Sequence, residues 1–281
     1  MEKTINVRET FKKCMTCSRT YCHLINEYFN HEYDAIEKAC DPLAGGIMNQ
    51  GHQCGMLWGA SLALGKKVAE EYAYPDEAIP KVVYLTERIL ESFEETAGTP
   101  ICRDIIDIDI SKKSGLLKFI VKTTLQGSKN NRCYALAEDW YPEVIETISV
   151  AMEDDIPEIL NAETCTSRIM FEAGGSPEDE IMVAGWGGGI GLSGNGCGAL
   201  ATAIWRVTKA WCDDHPGKNP PYFNNRPAKK LLKAFRELSG GSLVCREICG
   251  RSFQSLEEHM EYLDGGGCEK LIRFLTTFNP D

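Results

Sequence analysis

Three cysteines recur at identical separations in the two halves of this chain, and that recurrence constrains the fold more than any other feature. Cys22, Cys54 and Cys102 lie 32 and then 48 positions apart; so do Cys165, Cys197 and Cys245, at a common offset of 143 in a chain of 281 residues. Only 13 residues are cysteine, so three coincidences at one offset point to duplication. The neighbours agree. Gly45-Gly46-Ile47 corresponds to Gly188-Gly189-Ile190, Gly51 to Gly194, and Cys54-Gly55 to Cys197-Gly198. Further on, Cys102-Arg103-Asp104-Ile105 corresponds to Cys245-Arg246-Glu247-Ile248. A fourth cysteine, Cys133 or Cys268, closes each unit, with the spacing shortened in the second. The chain therefore reads as two tandem copies, residues 1–153 and 154–281, joined at the acidic cluster Glu153-Asp154-Asp155. Two copies of one unit are expected to pack with approximate two-fold symmetry, by analogy with isologous homodimers.

Within each copy, apolar residues recur mostly at helical spacing. In the first, Cys17 to Phe29, Cys54 to Tyr72, Asp76 to Thr96 and Arg132 to Met152 read as helices, with Gly98-Thr99-Pro100 a stop and Pro142 a point of kinking or division. In the second, the helices expected are Ile159 to Glu172, Pro177 to Trp186, Cys197 to Trp211 and Ala228 to Leu238. Ser255 to Phe278 follows, interrupted at Gly265-Gly266-Gly267. Ile105 to Ile110 alternates Asp and Ile as a strand would, but its duplicate, Ile248-Cys249-Gly250-Arg251, does not. The expected fold class is mainly α: duplicated helical-bundle units in a pseudo-two-fold pair.

The net charge of −11 argues against nucleic acid and anionic lipid as partners. No apolar run approaches the roughly 18–20 residues needed to span a bilayer, and the stretch from Met1 to Arg8 lacks the apolar core of a secretory signal. The expectation is a cytoplasmic protein. In that reducing compartment structural disulfides are disfavoured, so abundant cysteine points to metal ligation or redox work. Cys40, Cys212 and Cys249 have no partner in the other copy and read as small apolar residues of the core.

Residues 45–54 and 187–197 are glycine-rich and each runs into a helix, with Cys54 or Cys197 at the junction. A thiol at a helix N-terminus sits among unpaired N–H groups at the positive end of the dipole, which favours the thiolate. The alternative is that the glycines only allow close packing. Gly189-Ile190-Gly191-Leu192-Ser193-Gly194 matches a dinucleotide fingerprint, but a helix precedes it where a strand is needed, and the first copy does not preserve it. Cys14-Met15-Thr16-Cys17 is a C-x-x-C with no following histidine, which excludes c-type haem attachment and leaves an extra ligand pair, a redox dithiol or helix packing open. Of the five histidines, His52 is the one close to a repeated cysteine; its counterpart is Asn195, so a role beside a ligand is expected rather than ligation. Arg103 and Arg246 each follow a repeated cysteine, where they would steady a thiolate or anionic ligand, or pair with a helix carboxylate. Gly51 and Gly194 belong to the same surroundings. No hydrolytic motif is present.

These residues resemble the family named for its C…GCAxxG…C…C pattern, redox-active tetracysteine proteins related to the split-Soret cytochromes. Cys22, Cys54, Cys102 and Cys133 occupy the four positions in the first copy, and Cys165, Cys197, Cys245 and Cys268 in the second. The central motif departs differently in each: Cys54-Gly55-Met56-Leu57-Trp58-Gly59 keeps the last glycine, and Cys197-Gly198-Ala199-Leu200-Ala201-Thr202 keeps the alanine. The resemblance implies a redox or iron–sulfur role. The haem motif of the split-Soret relatives is missing. Four thiolates per unit equal the ligand count of a [2Fe–2S] or [4Fe–4S] cluster, so one cluster per copy is expected. It would serve electron transfer or a reductive oxidoreductase step, with a redox protein or small molecule as partner. A homodimer is a further expectation. The alternatives are a metal-free thiol–disulfide protein, with Cys22–Cys54 and Cys102–Cys133 as pairs, and a protein that holds or handles zinc.

Overall fold

Polar caps set where the helices begin. Asn6, Thr16, Asn131, Thr164, Ser176, Asn225 and Ser255 each accept a backbone N–H from the first turn that follows, which satisfies donors that would otherwise lack partners. The structure is a computed structural model describing residues 5–127 and 131–279. Met1 to Thr4, part of the N-terminal stretch read above, lie outside the described residues, as do 128–130 and 280–281. Among the described residues there are fifteen α-helices and no β-strand. The first copy contributes α1 (Val7–Cys14), α2 (Cys17–Tyr28), α3 (Asp34–Ala39), α4 (Gly55–Ala69), α5 (Pro75–Ala97), α6 (Cys102–Ile106), α7 (Lys113–Gln126) and α8 (Arg132–Met152). The second contributes α9 (Cys165–Glu172), α10 (Pro177–Ala184), α11 (Gly198–Asp214), α12 (Arg226–Leu238), α13 (Cys245–Cys249), α14 (Leu256–Asp264) and α15 (Glu269–Thr277). The protein is mainly α and built of duplicated helical units. None of the described helices is long and apolar enough to cross a membrane.

Several local expectations change. The Asp/Ile alternation after Cys102 is no strand: it starts as α6, which Asp107 ends in a left-handed conformation at φ +54°. The helix expected from Ile159 begins only at Cys165, where Thr164 and Ser167 form a capping box. α8 runs unbroken through Pro142. At its end the buried Lys81 donates to the carbonyls of Ala151, Met152 and Asp154 at 3.1, 2.9 and 2.6 Å, so the join between copies is tied down.

The copies interleave. α4, apolar on nearly every side, packs against α2 within its own copy and against α10 of the other. Gly65 makes the second contact close: a Cβ there would stand 2.3 Å from the Met182 carbonyl oxygen. In return α3 of the first copy packs on α11 of the second. This exchange is reciprocal, as approximate two-fold symmetry requires. Trp58, Trp186 and Trp205 are fully buried and meet edge-to-face in a row. The indole N–H of Trp186 donates to the Trp58 carbonyl at 3.1 Å, and that of Trp205 to the Ile36 carbonyl at 3.4 Å. One continuous core results.

Both glycine-rich segments form the same unusual element, a left-handed turn. Gly45, Gly46, Ile47, Met48 and Asn49 all have positive φ, and so do Gly188, Gly189, Ile190, Gly191 and Leu192. Matching hydrogen bonds close the turns: Gly51 N–H to Gly45 at 2.9 Å, and Gly194 N–H to Gly188 at 2.8 Å. Left-handed backbone costs about 1–2 kcal/mol for each residue with a Cβ. Burial of Ile47 and Ile190 offsets part of that cost. The turn also removes any dinucleotide reading of residues 189–194.

Candidate thiol centres

Eight cysteines stand at the N-termini of eight different helices. Cys17, Cys102, Cys165 and Cys245 are first residues of α2, α6, α9 and α13, and Cys133 is the second residue of α8. Cys54, Cys197 and Cys268 are the caps of α4, α11 and α15. The left-handed turns and a short bridge bring these ends together. In the first copy Cys54 N–H donates to Pro100 and Cys102 N–H to His52, both at 2.7 Å. In the second, Cys197 N–H donates to Leu243 at 2.8 Å and Cys245 N–H to Asn195 at 2.5 Å. Each bridge therefore locks two cysteine-bearing helix ends side by side.

The first centre comprises Cys17, Cys54, Cys102 and Cys133. The Cys54 thiol hydrogen-bonds to the Cys17 sulfur, and that bond holds Cys17 below the usual thiol value against the cost of burial. Backbone N–H groups of Gly45, Ser18 and Cys17 assist. Cys54 is pushed well up, first by the same bond and then by burial. Burial raises Cys102 well above the ordinary value, with the Cys133 and Cys17 sulfurs adding to it, and raises Cys133 to about 12. Glycine makes the α2–α4 approach possible. A Cβ on Gly55 would meet the Cys17 sulfur at 2.5 Å, and one on Gly59 the Ser18 carbonyl oxygen at 1.9 Å.

Cys22, expected to complete this set, is placed elsewhere. It lies one turn and more into α2, with no exposure, hydrogen-bonded to Cys40 and approached by Asn26 at 3.8 Å. The residue structurally equivalent to Cys165 is Cys17: each follows a threonine cap, Thr16 or Thr164, and opens a helix. The segment from Cys17 to Cys54 is five residues longer than that from Cys165 to Cys197, which is why the offset of 143 fell on Cys22. The repeated Thr-Cys cap was the signal available for Cys17.

The second centre brings Cys165, Cys197, Cys245 and Cys268 around a cavity of about 20 Å³, with Cys249 as a fifth sulfur. Cys249 lies 3.8 Å from Cys245 and 3.7 Å from Cys268, so it is more than the core residue expected from its lack of a counterpart. Tyr262 reaches the Cys268 sulfur at 3.9 Å. Cys268 itself is held at φ +57°, a strained conformation for a residue with a side chain. Burial raises Cys165 to about 12 and Cys197 well above its usual value. His259, unremarked in the sequence, lines the same cavity; it is 2% exposed and its Nδ1 has no hydrogen-bond partner. Burial lowers it to about 4, so it is neutral at physiological pH.

The residues expected beside the thiols brace the turns instead. Arg103 donates to the Gly51 and Gln50 carbonyls at 3.2 and 2.7 Å, and Arg246 to the Asn195 side chain at 2.9 Å. Gly51 and Gly194 give these arginines room, since a Cβ would approach their side chains to 2.9 and 3.1 Å. His52 contributes its backbone to the bridge, and burial brings its ring down to about 4. Cys14 ends α1, buried, on the wall of a cavity beside the first centre; Cys212 lines neither cavity. Among the described residues, no three His, Cys, Asp or Glu side chains are arranged as they stand to hold a metal ion.

A family model described as "Putative redox-active protein (C_GCAxxG_C_C)" matches residues 15–147 and again residues 162–278. The first match begins two residues before Cys17 and the second three before Cys165, in keeping with the equivalence drawn from the helix caps. No curated protein and no solved structure matches the chain.

Proposed function

Because this chain belongs, through both of its halves, to the C_GCAxxG_C_C family of redox-active proteins, we propose that it carries two thiolate-held iron–sulfur centres. The observation that carries this reading is the convergence of four cysteine-bearing helix N-termini in each half. Positive dipole ends and free N–H groups stabilise negative sulfur, and soft thiolates select iron–sulfur, zinc or Cu(I) over hard cations. Cys17, Cys54, Cys102 and Cys133 would hold the first centre. Cys165, Cys197, Cys245 and Cys268 would hold the second, with Cys249 in reserve.

The surroundings fit such a group. Left as bare thiols, most of these side chains are held protonated by burial and by one another. A bound cationic centre would remove that penalty. N–H donors from Gly45 and Ser18 face Cys17, and those from Met56, Gly188 and Leu200 face Cys54, Cys165 and Cys197. The unpartnered His259 Nδ1 gives the second half one more polar atom to offer. When bound, a cluster supplies one-electron transfer, and hydrogen bonds to its sulfurs tune the potential. Zinc would fit the donors but supplies no redox chemistry.

A second reading, metal-free thiol–disulfide exchange, is favoured by the Cys245–Cys249–Cys268 chain of sulfur contacts. The protonation of these thiols weighs against it, since the thiolate is the attacking species and Cys249 is held up at about 12 by its bond with Cys245 and then by burial. Anaerobic purification with iron and sulfide analysis separates the two. The expected result is brown protein with broad visible charge-transfer absorption and matching iron and sulfide. Colourless protein without either, whose free thiols disappear reversibly in pairs on mild oxidation, would replace the first reading by the second.

A further inference from the structure

The two centres differ in what lies beside them. The second closes on a cavity of about 20 Å³, roofed by His259, Tyr262, Leu263 and Leu271. The first faces a cavity of about 700 Å³ whose lining includes Cys17, Cys102 and Cys133. That is within the range of about 300–1,000 Å³ typical of small-molecule sites. Its walls include α1, which has no counterpart in the other copy, the 219–223 segment that precedes α12, and α7, which stands where the second copy has α14. They are mainly apolar, with Phe11, Ile106, Phe119 and Phe223 among them.

Among the described residues, one cation lines this cavity. Arg19, two residues beyond Cys17, has a side chain only 16% exposed. Its Nη1 donates to the neutral Asn219 side chain at 2.9 Å, its nearest carboxylate oxygen is Asp34 at 4.0 Å, and its buried Nε has no hydrogen-bond partner. Asp41 also lines the cavity; it accepts the Thr16 hydroxyl at 2.7 Å and feels the charge of Arg19, but it makes no ion-pair contact with the guanidinium. A guanidinium with donors to spare, at the foot of an apolar chamber, calls for a carboxylate carried on an apolar body.

We propose that the chamber over the first centre is a binding site for a small amphipathic carboxylate, anchored by Arg19, and that the second centre has no such site. Its service as the substrate site of a redox protein rests on the reading above; the binding itself does not.

Isothermal titration of the anaerobically purified full chain with phenylpropionate, phenylbutyrate and phenylhexanoate, and with their primary amides, tests this. At least one acid binds with one site per chain, and its amide binds about tenfold or more weakly, since a charge-assisted hydrogen bond is lost. Arg19→Gln brings the acid down to the level of the amide. Thr123→Trp, which fills the chamber from α7, abolishes binding of both and keeps the test valid if the arginine variant fails to fold. The proposal is overturned if no acid binds, if acid and amide bind alike, or if binding survives Thr123→Trp. Iron and sulfide measured on the same preparation keep the two ideas apart: binding without a cluster defeats only the redox reading, and a cluster without binding defeats only this one.

Discussion

Cys17 and Cys22 stand on one helix, five residues apart, in opposite chemical settings. Cys17 opens α2, receives backbone N–H groups and the Cys54 thiol, and is held toward its anion. Cys22 is enclosed by Cys40, Asn26 and the core, and its bond with Cys40 and its burial keep it protonated. Their serine variants should therefore separate. On the iron–sulfur reading proposed above, Cys17→Ser lowers bound iron to about half, since each half would hold its own centre on four thiols. Cys22→Ser leaves iron unchanged and costs about 1–3 kcal/mol, the penalty of burying an under-bonded hydroxyl. Iron analysis and urea denaturation of both variants check this; equal iron loss in the two would contradict it. The repeat pattern had brought Cys54, Cys102, Cys197 and Cys245 to notice because their spacings survive duplication unchanged. Cys17 escaped because a five-residue difference in loop length shifted its register. Cys249 and His259 escaped because nothing in a linear pattern marks a residue that only tertiary packing delivers to a cluster.

At the scale of elements, α2 and α4 define the first centre by how closely they approach. Gly59→Ala would drive a methyl group into the Ser18 carbonyl, 1.9 Å away, with backbone on both sides and no flexible atom to yield. The expected loss is about 3 kcal/mol or more, at the upper end of overpacking costs, and, on the iron–sulfur reading proposed above, about half of the iron goes with it. Gly98→Ala is the matched control. Gly98, unlike the helical Gly59, is left-handed at φ +77°, but no atom lies within 4 Å of the new methyl group, so only the backbone cost remains, near about 1–2 kcal/mol. Urea midpoints of the two variants test the difference. Long helices such as α5 and α8 were legible because their apolar stripes run for several turns. α7 could have been read from Leu116, Phe119, Ile120 and Thr123, which line the chamber at helical spacing. The left-handed turns could not, because placing Ile47 and Ile190 there runs against local preference and is sustained only by packing from outside the segment.

For the whole molecule, the continuous core and the crossed packing of α4 on α10 and α3 on α11 make each half the cover of the other. Unfolding in urea should be a single transition, coincident by circular dichroism and tryptophan fluorescence. Residues 1–153 expressed alone should lack a cooperative transition, because the α4 surface around Gly65 loses the backbone of Met182 that seals it. Two separated transitions for the full chain, or a cooperatively folding fragment, would contradict this. The crossed packing also has a historical consequence. A polypeptide with a single such unit would leave that surface bare and would need a twin molecule to clothe it. Fusing the twins end to end removes the dependence on concentration and, more usefully, breaks the equality of the pair: one lobe is released to open a vestibule while its sibling stays sealed.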